Sequence, residues 1–145
     1  MDQIEVSDLS DGYTDMAASE LADAFWQDSG IDDRREEEQT RMIIILAAET
    51  LAETAGPGRW GGFDAAEHFR RIDFMPPRER EQAGLVLMGL FGWLFFYGYL
   101  DHAGCLRIIS EVYRAAPPSE ALKTFFRCST RGIEKLVEAL EKEAS

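Results

Sequence analysis

Ala83 to Leu100 reads AGLVLMGLFGWLFFYGYL, eighteen residues without a charge, and the way this run is taken decides the fold. Its length is the lower limit for a helix that crosses a bilayer. Trp93, Tyr97 and Tyr99 have the chemistry of interfacial anchors. Gly84, Gly89, Gly92 and Gly98 argue the other way. Gly98 stands where a turn belongs, which leaves a helix shorter than the roughly 20 residues that a span needs. No four-residue glycine spacing offers a membrane dimer face. A helix apolar on every side is also what the centre of a helical bundle in water requires. The run therefore predicts a buried central helix over about 78–97, with Pro77 in its first turn, where a missing N–H is harmless. A small membrane-associated protein is the minor alternative.

The segments on either side read as amphipathic helices. Thr14 is a suitable N-cap for a helix that carries Met16, Leu21 and Phe25 and closes at Ser29-Gly30. Asp32 or Asp33 caps a second helix, acidic at its start and apolar from Met42 to Leu51, which breaks at Gly56-Pro57-Gly58. A short helix follows from about Asp64 to Ile72 and stops before Pro76-Pro77. Asp101 opens another, ended by Pro117-Pro118, and Ser119 caps the last, with an interruption expected at Gly132. Leu122, Phe125, Phe126, Ile133, Leu136, Val137 and Leu140 form its apolar stripe. No stretch alternates with period two. The expected fold is all-α, a compact bundle of six or seven helices around the central one, with helical-hairpin repeats as the finer expectation.

The chain of 145 residues is 46% hydrophobic and 29% charged, a globular composition for a single domain. Its net charge of −12 is uneven. Residues 1–40 hold thirteen acids and two bases, whereas residues 41–145 hold fourteen and thirteen. The expectation is an acidic N-terminal segment, 1–40, with one amphipathic helix, attached to a nearly neutral helical body, 41–145. Residues 1–13 are expected to be loosely ordered. Such a segment is either a solubilising extension or a docking surface for a basic partner protein, whose association it would accelerate. The charge argues against direct nucleic-acid binding. Cys105 and Cys128 make no disulfide framework and suit a reducing, cytoplasmic compartment. Met-Asp-Gln-Ile-Glu has no feature of a secretory signal.

Two stretches resemble each other at an offset of 37: GGFDAAEHFRRI over residues 61–72 and GYLDHAGCLRII over residues 98–109. Gly61 and Gly98, Asp64 and Asp101, Ala66 and Ala103, Arg70 and Arg107, and Ile72 and Ile109 coincide. The pattern of a turn glycine, an apolar residue at Phe63 or Leu100 and then a small alanine resembles the turn and second helix of tetratricopeptide repeats, as in small type III secretion chaperones. Arg70 and Arg107 depart from it, standing where that repeat has an aromatic. The resemblance implies a concave helical surface that binds peptides or partner helices.

Chemistry-bearing motifs are sparse. His68 and His102 lack a Glu three positions upstream, the cysteines lie 23 apart, and no phosphate-binding glycine loop occurs. No cofactor or metal is expected. Asp64 and His68, one turn apart, read as a hydrogen-bonded surface pair, and an enzyme using Asp64, His68, His102 or Cys105 is a minor alternative. Arg127, Arg131 and Lys135 form a basic stripe on the last helix. The loop from Gly56 to Gly62 is a connector that offers Arg59 and Trp60 as exposed contact residues.

The reading expected is a non-catalytic adaptor or inhibitor of chaperone, immunity or antagonist type. It would bind a basic partner protein through Asp28, Asp32, Asp33, Glu36, Glu37, Glu38, Arg59 and Trp60, with a homodimer as a further expectation. The alternative is a DNA-mimicking inhibitor.

Overall fold

The computed structural model describes residues 12–144. Expectations for residues 1–11 lie outside it. Among the described residues there are six α-helices: α1 (Ala18–Ser29), α2 (Arg34–Thr54), α3 (Ala65–Arg71), α4 (Pro77–Phe96), α5 (His102–Ala115) and α6 (Glu120–Ala144). One turn of 3-10 helix covers Trp60–Gly62. The all-α bundle is as the sequence predicts.

Local cap chemistry sets most of the boundaries. Asp33 Oδ1 accepts the N–H groups of Arg35 and Glu36 at 3.0 and 3.2 Å and starts α2. Asp64 accepts from Glu67 N at 3.0 Å, Asp101 from Gly104 N at 2.7 Å, and Ser119 Oγ from Leu122 N at 3.1 Å. Gly30, at φ +70°, closes α1. Gly98, at φ +83°, forms the turn after α4.

Two boundaries differ from expectation. Thr14 does not cap α1, which begins four residues later. Its N–H instead donates to Gly58 O at 2.9 Å, and its hydroxyl accepts from Met16 N at 3.2 Å. The chain before α1 thus lies against the 56–62 loop. A Cβ at Gly58 would come 2.1 Å from Thr14 O, so only glycine fits there. Gly132 does not interrupt α6, which runs unbroken for 25 residues.

α4 is the centre of the bundle. It packs against α2, α5 and α6, while α1 lies on α2 and α3 on α5. Ala83, Val86, Leu87, Met88, Leu90, Phe91 and Leu94 are buried along it. At Gly84 the approach is closest: a Cβ there would stand 2.9 Å from Leu122 Cδ2 and 3.0 Å from Ala116 Cβ. No described helix is long and apolar enough to cross a membrane.

The acidic N-terminal helix is part of this core. Leu21 and Ala22 are fully buried, and the ring of Phe25 meets Trp93 edge-on at 6.3 Å. A boundary at residue 40 falls inside α2.

Candidate partner-binding corner

The C-terminal ends of α1 and α4 meet. Asp28 Oδ2, on the last turn of α1, accepts from Trp93 Nε1 at 2.8 Å and from Tyr97 Oη at 2.7 Å. These two hydrogen bonds, that of Trp93 foremost, hold the Asp28 carboxyl below its ordinary range, and the same contact raises the Tyr97 phenol. The Trp93 and Tyr97 rings lie 4.8 Å apart, and Phe96 meets Tyr97 edge-on at 5.2 Å. Phe96 is 66% exposed and Tyr97 51%. Ile31, in the turn to α2, is also exposed.

Acids outnumber bases around this corner, where Arg34 and Arg35 at the start of α2 are the basic residues. Neither α1 nor α4 carries a basic residue in its last turn, so no side-chain cation offsets the negative end of either helix dipole. Asp32, in the turn after α1, and Glu36, in the first turn of α2, are exposed, and Asp33 spends its carboxylate on capping. Further along, the acids are paired. Glu37 binds Arg41 at 2.7 Å, Arg41 also binds Asp23, and Arg34 lies 3.9 Å from Glu38.

The eight predicted contact residues are therefore divided. Asp28 is in the α1–α4 contact, Asp32 and Asp33 lie in the turn that follows α1, and Glu36, Glu37 and Glu38 lie at the start of α2. Arg59 lies past the other end of α2, a helix of 21 residues and so about 31 Å long. It is exposed, with its guanidinium 5.5 Å from the ring centroid of Tyr13. Trp60 is a correction. It is 2% exposed, packs edge-on against Phe91 at 5.9 Å, and donates its backbone N–H to Gly12 O at 3.2 Å. The glycines around it fold the loop inward, so this tryptophan belongs to the core.

The Asp64–His68 surface pair is also corrected. Asp64 caps α3, while His68 is 1% exposed, with Nδ1 3.2 Å from Thr50 Oγ1. Burial, with the nearby charge of Arg71, lowers its pKa to about 4 and keeps the imidazole neutral. Cys105 is buried, its Sγ 3.4 Å from Phe91 O, and burial pushes its thiol up to about 12, far from a thiolate nucleophile. His102 and Cys128 are exposed. Among the described residues no group of three or more His, Cys, Asp or Glu is arranged to hold a metal ion. Arg127, Arg131 and Lys135 are exposed on α6 and form no ion pair with the described acids of residues 12–40.

Sequence reasoning missed Phe96 and Tyr97 as surface residues, because their place in an uncharged run implied burial. The available signal was their position in the last turn before Gly98. Comparison of the chain with family models, with curated proteins and with solved structures finds no match. Fold and geometry define the class, an all-α bundle with an aromatic, acid-rimmed corner.

Proposed function

We propose that the protein is a non-catalytic adaptor or inhibitor that binds a partner protein at the α1–α4 corner. The observation that carries this reading is the exposure of Phe96 and Tyr97 beside the Asp28 carboxylate, at two helix C-termini that carry no basic residue. Exposed aromatics are the anchors of protein interfaces. Here their surroundings favour a cation, and a guanidinium or ammonium can stack on the rings while facing Asp32 and Glu36. The occupant is a segment rich in Arg and Lys on the partner. Imitation of DNA is the weaker alternative, because Arg34, Arg35 and Arg41 interrupt the acidic track of α2.

The reading as helical-hairpin repeats draws support from the pairs α2/α3 and α4/α5. Asp64 and Asp101 cap the second helix of each pair in the same way, and α3 packs against α5. A chaperone, immunity or antagonist role, a homodimer and a cytoplasmic location belong to the same proposal. The free thiols of Cys105 and Cys128 support a reducing compartment.

The test uses the full chain and a variant carrying Phe96→Ser, Asp32→Asn and Glu36→Gln as baits in native-host extract. A partner held by the wild type, lost by the variant and released at about 1 M salt, where the screening length is about 3 Å, supports the proposal. Equal retention by both baits overturns the corner as the docking site.

A further inference from the structure

The acidic corner has its chemical complement on the same chain. Lys123, Arg127, Arg131 and Lys135 recur at every fourth residue of α6, a stripe about 18 Å long, and all four are exposed. None of them makes an ion pair with any described residue. Glu134 follows Arg131 by three positions and Glu138 follows Lys135 by three, the spacing at which helix charges pair, yet neither pair forms. Arg34, Arg41, Arg70, Arg71 and Arg107, by contrast, each meet a carboxylate. Phe125, on the same helix, is 36% exposed.

The basic helix α6 and the acidic helix α1 meet the same point of α4. A Cβ at Gly89 would stand 3.4 Å from Phe25 Cζ and 3.8 Å from Phe125 Cζ, so a ring from each helix reaches one glycine. Asp28 follows Phe25 by three residues, and Arg127 follows Phe125 by two. Helices of opposite charge thus flank α4 at Gly89, and no ion pair joins them within one copy among the described residues. A surface with both signs unspent is self-complementary. In a twofold pair each sign meets its opposite on the other copy, and every contact is made twice.

We propose that a second copy of this chain occupies the corner, with its α6 stripe against Asp28, Asp32 and Glu36 and its guanidinium groups on the rings of Phe96 and Tyr97. The inference rests on the reading of that corner as a docking site for a segment rich in Arg and Lys, and it identifies one such segment. A guanidinium stacks on an aromatic face while it pairs with a carboxylate, which a point charge does less well. The net charge of −12 on each copy opposes their approach. At physiological ionic strength charges more than about 8 Å apart are largely screened, whereas charges in contact are not, so the pair is weak and reversible. A partner protein and the second copy then compete for one surface. Self-association covers the exposed aromatics until a more strongly basic segment displaces it.

The experiment is sedimentation equilibrium of the full chain at physiological ionic strength, up to about 1 mM, the range of weak complexes. The wild type is expected to form a reversible dimer. Asp32→Lys with Glu36→Lys should weaken it at least about tenfold, and so should Arg127→Glu with Arg131→Glu and Lys135→Glu. An equimolar mixture of the two variants should dimerise again, because opposite signs then face each other at both contacts. A spin label on exposed Cys128, beside Arg127, gives a second measurement on the wild-type surface, since Cys105 is buried. Mixed with isotope-labelled chain, it should broaden the amides of residues 28–36 and 96–97 of the other copy. A wild type that stays monomeric, either variant dimerising as tightly as the wild type, a mixture no tighter than its components, or broadening confined to other surfaces would each overturn the proposal. A monomeric wild type that still holds a partner lost by the corner variant would remove only the second copy as occupant. A charge-dependent dimer whose partner is kept equally by both baits would instead remove the docking reading.

Discussion

Asp28 and Trp93, 65 residues apart in the chain, are joined by a hydrogen bond of 2.8 Å from the indole N–H to Oδ2, and Tyr97 donates to the same oxygen. The pair fastens the acidic helix α1 to the central helix and also sets the shape of the exposed aromatic corner. Asp28→Asn should therefore lower the thermal midpoint and change the fluorescence of Trp93. The folded-state pKa of Asp28 is depressed, so its stabilisation is present above the unfolded value of 3.8 and is lost as pH falls through the lower folded value. The difference in midpoint between wild type and Asp28→Asn should be steady from pH 7 to about 5 and shrink below about pH 4.

His68 gives a pH dependence of the same sign, at higher pH. Its folded pKa is about 4, against 6.5 for the free side chain. Between those values the unfolded chain binds more protons than the folded one, so stability falls as pH drops. The loss by pH 4 is about 3 kcal/mol, at 1.36 kcal/mol per pKa unit. Urea midpoints at pH 7, 6 and 5 should show the decline begin near 6.5, before the carboxylates titrate. His68→Gln should flatten that part of the curve. A wild-type midpoint unchanged from pH 7 to 5 would contradict a buried neutral imidazole.

These two residues also mark what could be read from the chain alone. Caps at Asp33, Asp64, Asp101 and Ser119 were legible because their chemistry is settled within three residues. The central helix was legible because an uncharged run of eighteen residues broken by glycines has few solutions. Trp60 and His68 were not, since each is buried by partners far along the chain: Phe91 for the tryptophan, Thr50 for the histidine. Thr14 has the chemistry of a cap but is drawn to Gly58, and no local pattern announces that pairing. Of the candidate site, the acids were in view. The aromatics beside them were hidden, because the exposure of the last turn of an apolar helix depends on which neighbours reach it.

Two glycines of α4 should respond in opposite ways. Gly84 sits against Leu122 and Ala116, where a Cβ would approach to 2.9 and 3.0 Å. Gly84→Val should destabilise by about 2 kcal/mol or more, because the tight α4–α6 contact must open. A Cβ at Gly92 would meet nothing within 4 Å. Gly92→Ala should stabilise by about 0.5–1 kcal/mol through helix propensity alone. Denaturant unfolding of the two variants measures both, and a stabilising Gly84→Val would mean that α4 and α6 are less closely packed than described.

The last prediction concerns the acidic N-terminal region as a structural unit. A chain of residues 41–145 alone lacks α1 and the first two turns of α2, with the cap at Asp33. It also loses the fully buried Leu21 and Ala22 and uncovers the face of α4 on which Phe25 lies. Removing one large buried side chain costs about 2–5 kcal/mol, and here a whole helix leaves the core, against a typical total of about 5–15 kcal/mol. The shortened chain should keep helical circular dichroism but lose cooperative thermal unfolding, near-ultraviolet signal and amide dispersion. Cooperative unfolding with a midpoint near that of the full chain would show that α1 rests on the body without contributing to its core. Partner binding should be mapped with point variants such as Phe96→Ser, because a deletion that unfolds the core removes the corner together with the charge.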